Sequence, residues 1–256
     1  MLFHPSPLVY AILVVAAAVA GFVDSIAGGG GIISLPALLA VGIPPHLALG
    51  TNKLQSSFGS LSAMLRYGIA GLIKPRDVVP GVLATAAGAA LGAAAVASID
   101  AGILRILIPI LLVAIVVFLL LRPRFGLSEG KKRLPWIPFW IGGGLVLGFY
   151  DGFFGPGTGT FWAIALVGLA GLEMRGATAY TKVANFTSNI VSLGVFFTAG
   201  TVIVPIGLAM GAAQATGAWA GSHLVLRRGA GLVRGVLIAM SSAIVVYIAL
   251  RYWVLK

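Results

Sequence analysis

The chain contains no cysteine among its 256 residues, and only 9% of them are charged. The first absence excludes disulfides and any thiolate metal site. The second excludes an ordinary soluble domain, in which about 25% of residues carry charge. Histidine is scarce too, and His4, His46 and His223 lack the spacing a zinc site needs. No Gly-Lys-Ser/Thr closes a glycine-rich loop, so no nucleotide-driven step and no cofactor is expected. The net charge of +11 is spread over short breaks, with no sustained basic segment to hold a nucleic acid.

Apolar residues fill the space these absences leave. They make up 59% of the chain, and the mean hydropathy is +1.07. A crossing of a bilayer core of about 30 Å takes about 20 apolar residues. The runs are continuous and rich in Ala, Leu, Ile and Val, unlike the alternating strands of an outer-membrane barrel. The composition therefore predicts a multi-pass helical protein of the cell inner (cytoplasmic) membrane. Breaks divide it into ten apolar segments near residues 8–27, 32–43, 48–72, 78–98, 102–121, 136–154, 158–171, 177–199, 202–223 and 233–253. Leu8 to Ala20 has the look of a signal-peptide core, but residues 1–7 lack Lys and Arg and the apolar run continues through Ala27. A retained first span is expected.

Two segments are short: as helices, 32–43 and 158–171 would reach only about 18 and about 21 Å. Each follows a glycine-rich break, and the breaks match. Gly21-Phe22-Val23-Asp24 running into Gly28-Gly29-Gly30-Gly31 aligns with Gly148-Phe149-Tyr150-Asp151 running into Gly155-Pro156-Gly157-Thr158 at an offset of 127. Asn52-Lys53 aligns with Thr181-Lys182 at an offset of 129. The polar stretch Arg122 to Leu134 separates the halves. The expected fold is a single all-α polytopic transporter domain of two repeats, 1–127 and 128–256. Each has about five helical segments, giving eight full spans and two short broken or re-entrant ones, in an inverted pseudo-twofold arrangement. If all ten segments cross, Lys and Arg divide eleven against three between the two sides; if the short ones turn back, nine against five. The positive-inside rule favours the first, with both termini outside the cytoplasm, and the re-entrant alternative stays open. Trp136, Trp140 and Trp253 near span ends fit an interfacial aromatic belt.

Four charges fall inside the apolar mass. Asp24 and Asp151 sit near the ends of equivalent spans, where a lone carboxylate costs roughly 2.5–3.5 kcal/mol at the bilayer centre. They can order the breaks by accepting backbone N–H bonds, or carry protons. Lys53, Ser56 and Ser60 form a row at i, i+3 and i+7, and Lys182, Asn185 and Asn189 repeat that spacing. Either the lysines bind an anion, or each forms a salt bridge with an aspartate. If the short segments are helices, their N-termini present free N–H groups at Gly29, Gly30 and Gly31 and at Gly157, Thr158, Gly159 and Thr160. Scattered glycines such as Gly88, Gly92 and Gly217 are expected only to let helices pack closely.

The motif Gly21 to Gly31, Pro36 and Gly50-Thr51-Asn52-Lys53 resemble the first repeat of the TauE/SafE (TSUP) family of sulfite and sulfonate transporters. The stretches Gly148 to Gly159 and Lys182 to Asn189 are similar to its YfcA-like branch. The resemblance implies export, or sometimes uptake, of sulfite, sulfoacetate or related small anions. The expected function is a proton- or potential-coupled secondary carrier, not an enzyme, with Lys53 and Lys182 balancing charge and Asn52, Ser56, Asn185 and Asn189 around the substrate. Its partners are a small anion and the lipid bilayer, with a homodimer as one oligomer to test. The rival reading is an intramembrane aspartyl protease using Asp24 and Asp151; a cation channel ranks third, because of the membrane lysines.

Overall fold

A computed structural model describes residues 6–121 and 134–229. These residues form α-helices and no strand: α1 (Pro7–Ala27), α2 (Gly31–Ala40), α3 (Pro45–Ile69), α4 (Pro75–Ala97), α5 (Ala101–Leu121), α6 (Trp136–Phe153), α7 (Thr158–Gly168), α8 (Met174–Thr198) and α9 (Val204–Arg228). They follow the first nine apolar segments closely. The tenth segment, Trp253 and residues 122–133 of the polar stretch between the halves lie outside the described residues. Proline opens α1, α3, α4 and α9 within their first two positions, where its missing N–H leaves no helical bond unmade. Gly71 and Gly200, with φ of 74° and 67°, turn the chain out of α3 and α8.

Side-chain contacts fix the helix directions. Along the α3–α9 seam Leu54 meets Gly207, Phe58 meets Gly211, Ser62 bonds Ala215 and Arg66 meets His223, so the two run parallel. Helix α1 also runs parallel to α9, with Ala18 at Gly217 and Phe22 at Gly221. The chain therefore reverses between α1 and α3, and α2 with its flanking loops makes the return. Helix α8 is antiparallel to α3, placing Phe196 beside Gly50 and Ala179 with Tyr67. Helix α4 packs along α8 from a shared start, where Tyr180 Oη meets Lys74 N and Asp77. Helix α6 is parallel to α4, with Trp140 at Gly81 and Phe149 at Gly92. Thus α1, α3 and α9 run one way and α4, α6 and α8 the other. Lys74, Arg76, Arg175, Arg227 and Arg228 gather at one end of the bundle, and Arg105 stands at the opposite end.

The outside of the bundle is apolar. Leu8, Ile12, Val15 and Val19 form one exposed stripe on α1, and Ile103, Ile106, Ile110 and Val113 another on α5. Continuous exposed apolar faces of this kind belong against lipid or another apolar surface. Eight full spans are expected; among the described residues two helices are long and apolar enough to stand out by themselves, α1 and α4, with mean hydropathies of 2.2 and 1.7. Helices α3, α8 and α9 have 25 residues each, but polar residues buried on their inner faces dilute the apolar signal.

Inside, glycine lets the backbones touch. A Cβ would stand 2.1 Å from Gln214 O at Gly21, 2.0 Å from Ala18 O at Gly217, 2.6 Å from Thr85 O at Gly148 and 2.4 Å from Leu145 O at Gly88. Gly88, Gly92 and Gly217 are close-packing positions, in line with the sequence reading. The expected belt position of Trp140 is corrected: its ring is 1% exposed, clustered with Phe139 and Trp162. The space comes from Gly81, where a Cβ would fall 2.1 Å from the indole.

Candidate functional site

The four charges singled out in the sequence meet as two ion pairs, and the pairing is crossed. Lys53 of α3 donates to Asp151 of α6 at 2.7 Å, and Lys182 of α8 donates to Asp24 of α1 at 2.9 Å. Each ammonium also reaches the main-chain oxygen of its aspartate, at 2.5 Å in both cases. Each of these two lysines thus binds near the end of a helix from the other half of the sequence. The salt-bridge alternative raised by the sequence is the arrangement found. Side-chain exposures of 1% for Lys53 and 0% for Lys182 explain why: an ammonium at that depth needs a carboxylate beside it.

The pairs differ in their surroundings. Asp151 is 5% exposed and accepts a further, short hydrogen bond from Ser188 Oγ. Asp24 is 14% exposed and accepts instead from Gly30 N at 3.2 Å. Asp24 thus accepts a bond from the glycine break that follows it, while Asp151 is bonded by the side chains of Lys53 and Ser188.

The two breaks touch each other. A Cβ on Gly28 would lie 2.4 Å from both Gly159 C and Thr160 N, and one on Gly31 would lie 3.1 Å from Pro156 Cα. Thr160 Oγ1 donates across to Ala27 O at 3.3 Å. Gly28, Gly29, Gly155 and Gly157 have φ of 78°, 85°, 97° and 84°, values open to glycine at little cost. The N–H groups of Gly29, Gly31, Gly157 and Gly159 have no acceptor among the described residues.

Those four glycines face one polar cavity, which offers about 30 Å³ to the centres of water molecules. That is room for one or two waters. Of the residues expected at the site, Asp24, Asp151, Lys53, Asn52, Ser56, Asn185, Asn189 and Thr158 also line it. Lys182, Gly30 and Thr160 do not. The lysine at 182 lies buried in contact with Asp24, while Lys53 and Asp151 both face the cavity. Asn52 Oδ1 accepts from Ser34 Oγ at 2.7 Å and Gln55 Nε2 at 2.8 Å, which leaves its NH₂ group to donate. Asn185 Oδ1 is buried without a hydrogen-bond partner among the described residues.

A match to known proteins decides the family. The family model described as "Sulfite exporter TauE/SafE" covers residues 13–248. The chain belongs to the TauE/SafE family. Among similar proteins, the "Probable membrane transporter protein ORF9" of Sinorhizobium sp is 44% identical over 236 residues, covering 92% of this chain and 90% of the relative. The "Probable membrane transporter protein YfcA" of Escherichia coli (strain K12) is 42% identical over 241 residues, covering 94% and 90%. A "Probable membrane transporter protein" of Haemophilus influenzae is 42% identical over 231 residues, covering 90% and 91%. No solved structure matches the chain. The TauE/SafE membership agrees with the resemblance read from the two breaks and the lysine rows. Two cavity residues of this TauE/SafE protein escaped the sequence reading of the site, Gly155 and Gln214 of α9. A glutamine within an apolar segment was the available signal for the second.

Proposed function

We propose that the protein is a secondary carrier that exports a small sulfur-containing oxyanion, sulfite or an organosulfonate, across the cell inner membrane. The observation that carries this reading is the meeting of the two breaks: four glycines from both halves, whose N–H groups have no acceptor among the described residues, line one cavity with Lys53. Unpaired amides at helix starts attract anions through hydrogen bonding and the helix dipole. The names of the relatives support membrane transport.

With two lysines and two aspartates charged, the site is neutral. An anion entering it must displace an aspartate from an ammonium or bring a compensating proton. In the proposed cycle a proton neutralises Asp24, the more exposed carboxylate, and frees Lys182 to attract the anion, so that charge moves in balanced units. Asp151, held by Lys53 and Ser188, stays in place. The narrow cavity fits a closed stage of such a cycle.

We further propose two inverted repeats, with the short segments α2 and α7 counted as crossings. The opposed directions of α1 and α6, α3 and α8, and α4 and α9 support this, as do the crossed ion pairs. Exchange of the halves around a fixed central site is how such repeats alternate access. The aspartyl protease reading is not favoured, because each carboxylate is bonded to a lysine rather than sharing a proton with the other.

The test is sulfite-dependent proton flux in proteoliposomes carrying wild type, Lys53→Ala or Lys182→Ala. Flux in wild type and its loss in both variants is the expected result. Undiminished flux in both would remove the lysines from the mechanism.

A further inference from the structure

Gln214 sits midway along α9, is 1% exposed and leaves its Oε1 without a hydrogen-bond partner among the described residues. It lines the cavity between the ion pairs. An unmade bond at a buried polar group is destabilising, and such a group persists where a ligand or water completes it.

Two glycines leave room for the Gln214 side chain. A Cβ at Gly21 of α1 would strike Gln214 O at 2.1 Å and its Cγ at 2.9 Å. A Cβ at Gly59 of α3 would strike its Cγ at 2.7 Å and its Nε2 at 2.8 Å. The side chain therefore occupies a notch that exists only because both positions lack a side chain. The other half is built differently. Thr85 stands in the place of Gln214 at an offset of 129, and Ser188 in the place of Gly59 at the same offset. Ser188 donates to Asp151, and Thr85 does not line the cavity. One half ties its polar group to its aspartate; the other leaves a carboxamide facing the cavity.

We infer that Gln214 contacts the transported ligand and selects an oxyanion that still carries a proton. The inference rests on the carrier reading above. A carboxamide offers donors at one end and an acceptor at the other. An anion with both oxygens and one O–H satisfies both ends, whereas a fully ionised oxyanion leaves the acceptor unpaired. The loss of that bond is the basis of discrimination.

The test uses the full chain in proteoliposomes and reads KM and maximal rate for sulfite, with sulfate as competitor, across pH. Gln214→Leu is expected to raise the KM for sulfite about tenfold and to weaken the preference over sulfate, with a smaller effect on maximal rate. Gly59→Ala, which keeps Gln214 but pushes it aside, is expected to raise KM in the same direction. Thr85→Val is expected to leave KM unchanged. If wild type moves neither anion, the carrier reading fails and this inference with it. If wild type transports sulfite and a folded Gln214→Leu keeps both KM and preference, this inference alone is overturned. Should Gln214→Leu fail to fold, judged by its thermal unfolding midpoint, the isosteric Gln214→Glu decides on the same readout.

Discussion

Lys53 and Lys182 owe their tolerance at the centre of an apolar bundle to single carboxylates, at 2.7 and 2.9 Å. Removing one member of a buried pair strands the other and typically costs about 3–5 kcal/mol, while replacing both by apolar groups is close to neutral. Lys53→Met should therefore lower the thermal unfolding midpoint clearly, and adding Asp151→Leu should recover most of it. Transport should stay absent in both. Purified protein in detergent suffices for the first measurement, and a double variant no more stable than the single one would contradict the account. Stability and transport separate here because the pair is balanced in folding terms, whereas the proposed cycle needs each charge when an anion arrives.

At the level of elements, the breaks matter more than the helices they interrupt. Helices α2 and α7 have 10 and 11 residues, and their starts meet where Gly28 packs on Gly159 and Thr160. Gly42 makes a useful comparison: its φ of 86° resembles the 78° of Gly28, yet nothing lies within 4 Å of a Cβ there. An alanine is strained by the positive φ at either place, and at Gly28, where ψ is 178°, the backbone lies in a region that essentially only glycine adopts. Only at position 28 does it also drive two backbones apart. Gly28→Ala should thus depress the unfolding midpoint well beyond Gly42→Ala and abolish transport; equal shifts would show that the contact between breaks contributes little.

On the scale of the whole molecule, the bundle has a basic end and an opposite end where Arg105 stands. The absence of cysteine makes this easy to test, since any introduced thiol is the sole one. Arg76→Cys and Arg228→Cys, at exposed positions, should react with a membrane-impermeant maleimide from the cytoplasmic side, and Arg105→Cys from the other. Labelling of all three from one side would overturn the proposed topology. The expected eight full spans illustrate a limit of hydropathy alone. Helices α3 and α8 turn polar rows inward, and those buried polar residues lower the hydropathy by which a span would be recognised.

The sequence by itself determined the class of protein, the approximate extent of the described helices and the four charges placed within apolar segments, because apolar length, proline and glycine act locally. It also left the choice between anion binding and salt bridging open, since both use the same residues. Only the tertiary structure decided that each lysine crosses to the aspartate of the other half, that Lys182 lies outside the cavity lining and that Trp140 is core. It alone brought Gln214 to the cavity, through glycines on two other helices. Those outcomes depend on which helix faces which, and helix spacing within one segment carries no record of its neighbours.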